Sequence, residues 1–476
     1  MKTKIFAMLA LFLVFSGVGC KKFLEVDPKS TMGEDQIFSS EVGFQQALIG
    51  LYSQMASRQL YGDNLTMGFT SMIAQNYSPT ISSVFSFKQT VALNFKGTDA
   101  IPLISGIWTQ AYTTIAGANN ILEKIEQKQG VFTGDNYALV KGETIGLRAY
   151  LHFDLLRLFG ANFATNPGKK SIPYRDELNA LSKVPSTVDE VSAMILADLK
   201  IAEALMKGKD PIRNNKSRRF KMNYYAIKAL QARVYLFRGD KENAAAAATE
   251  VVNSGVFTLA KSDQLNAASG RRDRTFSTEQ VFAIRVRDIK DWAIDNREPY
   301  FKLSNSNRNY LTRTNADFLR LYENSSTDVR YTKLIEAEAQ TYFCTKYWQT
   351  WIAANVDGKL ETEADRLDQT VPLMRLSEMY YILAETAATA DQGLIFLNLV
   401  RDARVIPIIP AGIASQRLSD EIMKEYQKDF YAEGQLFYYY KRKLSTRMLF
   451  STKNLTEANY IVPVPENELE FNPNYN

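Results

Sequence analysis

A mainly α-helical fold is predicted for this 476-residue chain, and three observations predict it. Apolar residues recur three and four positions apart through one long segment after another, the spacing of a single helix face. Several of these segments follow each other as helix–turn–helix units. Strand-like alternation is confined to one short run, "EQVFAIRV", with Val281, Ala283 and Val286 among its apolar positions.

The elements follow in order. In "IWTQAYTTIAGANNILEKIEQ" the positions Ile107, Trp108, Ala111, Ile115, Ala118, Leu122 and Ile125 form one face of a helix. "ETIGLRAYLHFDLLRLFG" repeats the pattern through Ile145, Leu147, Leu151, Leu155 and Leu158, and Gly160 is placed to cap its C-terminus. "TVDEVSAMILADLKIAEALM" opens on Thr187 with Glu190 three residues on, a capping-box arrangement. "NYYAIKALQARVYLFRGDKENAAAAATEVVNSG" reads as a helix to Arg238, a turn at Gly239 and Asp240, and an alanine-rich return helix. It has the size of a tetratricopeptide unit, and the small side chains of Ala244 to Ala248 let its two helices pack closely. "VPLMRLSEMYYILAETAATADQGLIFLNLVRDAR" predicts a second pair hinged near Asp391 and Gly393, and "SDEIMKEYQKDFYAEGQLFYYYKR" adds another long helix. Such pairs cannot bury their faces alone and must stack.

The N-terminus is of a different kind. Lys2 and Lys4 precede the uncharged run "IFAMLALFLVFSGV", which is too short to span a bilayer comfortably, since about 20 apolar residues are needed. A basic start, a short apolar middle and small residues before a cut make residues 1–19 an export signal, outside the fold. Gly19 is followed directly by Cys20. That resembles a bacterial lipoprotein signal, in which the cysteine is lipidated and becomes the new N-terminus. Gly17 departs from the Leu usual three places before that cysteine. One acyl chain anchors weakly, and two or more anchor stably. The mature chain is long enough for one large domain or two to three ordinary ones. Its composition, 46% hydrophobic and 23% charged, is that of a packed globular protein. Losing Lys2 and Lys4 lowers the formal charge from +5 to +3, too little in so long a chain to argue for nucleic acid. Cys20 and Cys344 are the two cysteines. With Cys20 acylated no intrachain disulfide forms, and a cysteine-rich metal site is excluded.

Residues 59–106 and 258–370 are richer in Ser, Thr, Asn, Gly and scattered aromatics. Connections of this kind run over the surface and carry binding residues on a rigid scaffold.

The ordered series "CKKFLEVDPKS", Trp108–Tyr112–Ile115–Ala118–Asn119, "ETIGLRAYLHFDLLRLFG", Ile172 to Tyr174, "NYYAIKALQARVYLFRGD", "VPLMRLSEMYYILAETA", "LNLVRDAR", "FYAEGQLFYYYKR" and "VPVPENELEFNPNYN" resembles the SusD/RagB family of Bacteroidetes outer-membrane nutrient-binding lipoproteins, over nearly the whole chain. The resemblance implies a scaffold of four tetratricopeptide-like helix pairs with an irregular, loop-rich ligand-binding part and minor β-structure. It implies a single domain, 20–476, in three parts: helical 20–257, the loop-rich insert 258–370 and helical 371–476. It implies a lipid-anchored protein of the outer membrane, exposed at the cell surface. Its partner would be a SusC-like TonB-dependent β-barrel, over which it closes as a lid to deliver an oligosaccharide. A peptide-capturing lid of the same family, or a helical-repeat adaptor that binds protein, is the alternative. Two departures stand out. Lys21 and Lys22 occupy the place where an acidic cluster often follows the lipidated cysteine, and Gln435 follows Gly434 where the family tends to carry "EG-R".

Catalytic chemistry has little to build on. His152 is the one histidine, so a histidine-based triad or multi-histidine metal site within one chain is excluded, and it reads as a packed helix residue. Glu378 and Glu385 share a helix face, but ion pairing, with Arg375 for example, accounts for them better than glycoside hydrolysis. No nucleotide-binding glycine fingerprint occurs. The chain is expected not to be an enzyme and to need no cofactor or metal. The run Tyr438–Tyr440 points in several directions on a helix and reads as core or half-buried. Sugar recognition needs flat apolar faces beside directional donors and acceptors. The first irregular stretch offers Tyr61, Asn64, Asn76, Tyr77 and Phe85. The second offers Trp292, Asp295, Arg297, Tyr300, Arg308 and Tyr310. Each aromatic can serve as a loop anchor or as a ligand contact. Trp292 leads the candidates because it sits among charges in "KDWAIDNR".

Overall fold

The computed structural model of the chain describes residues 33–80, 85–268, 271–295, 299–304, 309–350, 355–356, 359–362 and 365–475. The export signal, Cys20, Arg297 and Arg308 lie outside them.

The periodic segments form helices α1 (Glu41–Met55), α2 (Ile101–Gln127), α3 (Asn136–Phe159), α4 (Val188–Met206), α5 (Tyr224–Phe237), α6 (Lys241–Val252), α7 (Leu376–Thr386) and α8 (Ala390–Ala403). They pack as four consecutive pairs, α1 on α2, α3 on α4, α5 on α6 and α7 on α8. Each pair touches the next through α2–α3, α4–α5 and α6–α7. Local chemistry sets the starts. Ser40 caps α1, Asn223 caps α5, Asp240 caps α6 and Thr389 caps α8, each accepting a backbone N–H of the first turn. Thr187 and Glu190 close the expected capping box of α4. Gly239, at φ +78°, turns the chain between α5 and α6.

Helix α3 is the centre of the stack. Every residue from Gly142 to Phe159 is buried, so its polar side chains must find partners inside. Glu143 accepts from Tyr52 Oη at 2.7 Å and from Arg218 Nη1 at 2.5 Å. Arg148 donates twice to Asp198, at 2.8 Å each. His152 packs as expected, stacked on Tyr174 at 4.0 Å.

The sheets are small. Strand β1 (Gln280–Arg285) is the "EQVFAIRV" run. The others are β2 (Ile335–Glu338), β3 (Thr341–Cys344), β4 (Asn355–Val356), β5 (Lys359–Leu360) and β6 (Thr370–Arg375). Three antiparallel pairs result, β1–β6, β2–β3 and β4–β5. The β1–β6 pair matches Arg285 to Thr370 and Gln280 to Arg375, bringing together the two ends of the 258–370 stretch.

Three expectations are corrected. "TVPLMR" is β6 rather than the start of a helix, since both of its faces are buried and β1 supplies its ladder. The α7–α8 hinge lies at 387–389, while Asp391 and Gly393 sit in the first turn of α8. The long C-terminal helix is two, α9 (Ser415–Asp429) and α10 (Leu436–Arg442). Between them Ala432 and Gly434 take φ +60° and +77°. A Cβ on Gly434 would lie 2.2 Å from the Leu65 carbonyl oxygen. Left-handed strain alone is worth ~1–2 kcal/mol, so with this backbone clash Gly434→Ala is expected to cost at least roughly 2 kcal/mol. Urea unfolding checks this, and an unchanged midpoint would contradict the geometry.

Candidate ligand-binding site

The two irregular stretches interlock on the helix scaffold. Ser78 N donates to Thr312 O at 2.9 Å. Arg313 donates to the carbonyls of Gln75, Asn76 and Tyr77. Ser86 N donates to Asn309 Oδ1 at 2.8 Å.

Where they meet, residues 57–68 wind through consecutive turns. Gly62 N bonds Ser57 O, Asn64 N bonds Arg58 O and Gly68 N bonds Asp63 O. This coil buries the Asp63 carboxylate. A Cβ on Gly68 would come within 2.3 Å of Asp63 Oδ1, so glycine is what makes room for it. Burial pushes the Asp63 carboxyl up, against the opposing pull of Arg58. Arg58 Nε and Nη2 donate to Asp63 Oδ2 at 3.1 and 2.7 Å, and Nη2 also donates to Tyr300 Oη at 2.8 Å. The guanidinium carbon lies 5.0 Å from the Trp292 ring centroid and 5.7 Å from that of Tyr300. Its side chain remains 48% exposed. Half-buried Phe87 meets Tyr300 edge-on at 6.3 Å. The result is a cation held among aromatic rings at the junction of two loops, with part of its side chain open to solvent. Such a group can donate to hydroxyls or anionic groups while a neighbouring ring supplies an apolar face.

The residues expected from sequence fall into three groups. Trp292 and Tyr300 are brought together, and the chain joins them through Tyr300 N to Trp292 O at 2.9 Å. Trp292 is not an open platform, however. It is 4% exposed and lies on a π-helical turn, Asp291–Asp295, so it backs Arg58 rather than facing solvent. Tyr61, Asn76 and Tyr77 are corrected to scaffold. Tyr61 donates to Asp154, Tyr77 donates to Met67 O, and Asn76 accepts from Ala432 N. Each is buried with its polar atom engaged. Asn64 and Phe85 are buried as well. Tyr310 stays half-buried, its hydroxyl bonded to Ser304 and its ring against Phe343. Arg58, Asp63 and Phe87 were missed. Arg58 stands one residue before the first irregular stretch, and nothing in its neighbours marks it.

The other sequence candidates are occupied. Glu378 pairs with Arg233, and Glu385 with Arg442. Arg375 pairs instead with Glu433, Glu279 and Asp429. Tyr438, Tyr439 and Tyr440 are buried. Among the described residues no group of three or more His, Cys, Asp or Glu could hold a metal ion, and no helix is long and apolar enough to cross a membrane.

Residues 22–236 match a family of SusD-like proteins described as "Starch-binding associating with outer membrane", and residues 287–449 match the SusD family. The chain belongs to the SusD/RagB family. SusD-like protein P2 of Formosa agariphila is 27% identical over 53% of this chain and 46% of its own length. P38 of the same organism is 21% identical over 91% of this chain and 90% of its own. The match thus spans about half of P2 but nearly all of P38. Among solved structures, a SusD superfamily protein from Bacteroides thetaiotaomicron is similar at TM-score 0.70 and 20% identity, covering 91% of this chain and 98% of that one. A SusD-like carbohydrate binding protein from Bacteroides vulgatus is similar at 0.70 and 16%, covering 92% and 97%. A laminarin binding SusD-like protein is similar at 0.65 and 18%, covering 91% and 98%. These structures share the SusD fold of helix pairs with little sheet. SusD-family members are binding proteins rather than enzymes, which fits the engaged state of Glu378, Glu385 and His152.

Proposed function

We propose that this SusD-family protein is a cell-surface lipoprotein, anchored through Cys20, that captures an oligosaccharide and delivers it to a SusC-like TonB-dependent outer-membrane transporter as its lid. The observation that carries the glycan reading is the half-exposed Arg58 set over Trp292 and Tyr300, beside Phe87. Flat apolar surface next to a directional, charged donor is the chemistry that sugars require. The family description and the carbohydrate-binding and laminarin-binding neighbours support the same ligand class. Trp292, Tyr300 and Tyr310 act in this reading as the rigid base and flank of the site, and Arg297, between Trp292 and Tyr300 in sequence, is proposed as a further ligand contact.

Calorimetric titration against a panel of oligosaccharides, polysaccharides and peptide digests tests it. One glycan class is expected to bind. A lost charge-assisted hydrogen bond is worth about 1.5–3 kcal/mol, so Arg58→Ala should weaken binding by at least about tenfold, with Phe87→Ala weakening it as well. Binding to peptides alone overturns the glycan reading. Glycan binding that survives both substitutions overturns the site.

A further inference from the structure

A cavity of about 50 Å³ lies away from the loop junction, inside the scaffold where α3, α5, α7 and α10 converge. Three of its lining side chains are more than nine-tenths buried and carry a donor that finds no acceptor among the described residues. They are Arg157 Nε on α3, Arg233 Nη1 on α5 and the Tyr438 hydroxyl on α10. The remaining guanidinium nitrogens are engaged. Arg157 bonds Gln435 and Asp154, and Arg233 bonds Glu378 and the Leu373 carbonyl. The Arg157 guanidinium also lies over the Tyr438 ring, its carbon 3.7 Å from the centroid. The Tyr150 hydroxyl lies beside Arg233, within its reach.

The chemistry of these groups is one-sided. A guanidinium donates and cannot accept. A water molecule could sit here, accepting from the guanidiniums and donating to the remaining lone pairs of Glu378 and Gln435, but it would leave the charge of the lining unanswered. The charges point the same way. Arg157, Arg233, Lys441 and Arg442 line the cavity against one lining carboxylate, Glu378. Asp154 balances Arg157 and Glu385 balances Arg442 from behind. Lys441 is left over, its ammonium bonded to the carbonyls of Leu158 and Gly160. The nearest further carboxylate acting on it, Glu457, is half-buried and already accepts from Asn162, Thr165 and Asn166. The space exceeds the roughly 10–15 Å³ that one water-sized body requires.

We propose that this cavity binds a small monovalent anion of halide size, held by Arg157 Nε, Arg233 Nη1 and the Tyr438 hydroxyl. The ion would tie α3, α5 and α10 together through one centre. Burial lowers the Lys441 amine to about 7, and a bound anion would favour its charged form.

Crystals of the protein grown with bromide test the site by anomalous diffraction. The expected result is a bromide peak within hydrogen-bonding reach of the three donors. Replacing gluconate by bromide at constant ionic strength should also raise the melting temperature, by about 1–2 °C per tenfold of bromide beyond saturation. Tyr438→Phe, which keeps the ring under Arg157 and removes only an unpartnered hydroxyl, should melt normally in gluconate and respond less to bromide. A cavity that holds only water in bromide crystals overturns the proposal. So does a bromide response of equal size in Tyr438→Phe and the parent.

Discussion

Asp429→Asn is expected to lower the unfolding free energy by about 3–5 kcal/mol, the loss that follows when one partner leaves a buried ion pair. Asp429 is fully buried and receives three guanidiniums. Arg404 lies 3.0 Å away, Arg375 3.2 Å and Arg330 3.3 Å. Those arginines also hold Glu279, Asp328, Glu425 and Glu433, all of them buried. Asparagine keeps the shape and removes the charge, taking away the one carboxylate that all three arginines share in a medium where that is costly. Burial pushes the Asp429 carboxyl up, but Arg375, Arg404 and Arg330 hold it well below the usual carboxylate range. Arg330, Lys428 and Arg401 likewise bring Glu425 down to about 2 against its burial. A carboxylate with a depressed folded pKa contributes stability above its unfolded value, near 4, and loses it as pH falls through the folded value. The contribution of Asp429 and Glu425 is therefore present above about pH 4 and lost as pH falls below it. Urea unfolding at neutral pH measures the effect. Lys183→Ala, which breaks an exposed pair with Asp176, is the comparison and is expected to change stability by less than about 1 kcal/mol. If Asp429→Asn costs no more than that, the network does not carry the weight its geometry implies.

The network also explains how a loop-rich part stays placed on a helical solenoid. Glu279, Asp328 and Arg330 come from the second irregular stretch, whereas Arg375, Arg404, Glu425 and Asp429 come from the C-terminal helices and the β6 end that precedes them. Periodicity announced those helices because each buries one apolar face, and Thr187 with Glu190 announced the start of α4. The ion network had no such signature, since its members are spread from Glu279 to Glu433 and charged residues read as surface until their partners are known. The same holds for the candidate site. An aromatic in a loop carries no label for exposure, so Tyr61 and Tyr77 read like Trp292 and Tyr300. Only Asp154 behind Tyr61 and Met67 O behind Tyr77 distinguish an anchor from a contact. Arg58 became legible once Asp63 and Tyr300 were seen to fix its guanidinium. The break between α9 and α10 was hidden because "KDFYAEGQLF" keeps a helical apolar spacing, and the close approach of Leu65 to Gly434 is a contact between segments far apart in sequence.

His152 makes the second large expected effect, and it falls in a different pH window. The imidazole is fully buried in α3, with Nδ1 2.9 Å from the Arg148 carbonyl oxygen and Nε2 accepting from Arg175 N at 2.9 Å. The Arg175 N–H can only donate, so the partners assign the proton to Nδ1. Burial pulls the imidazole down to about 3, against the hydrogen bond to the Arg148 carbonyl, which favours the proton. In the unfolded chain it would titrate near 6.5. Between those values the unfolded state binds a proton that the folded state refuses, so stability falls as pH drops below about 6.5. At about 1.36 kcal/mol per pH unit the loss reaches roughly 3 kcal/mol by pH 4. Asp429 and Glu425 lose their contribution mainly below about pH 4, so the two effects are centred in different pH windows. His152→Gln is the informative variant, because its amide offers one donor and one acceptor and does not titrate. Between pH 7 and 4 the melting temperature of the parent is expected to fall steeply and that of His152→Gln to fall much less, with the two curves parallel below about pH 3, where the folded imidazole also protonates. Parallel curves across the whole range would mean that His152 takes up its proton without unfolding, and that the α3 core opens to water around it.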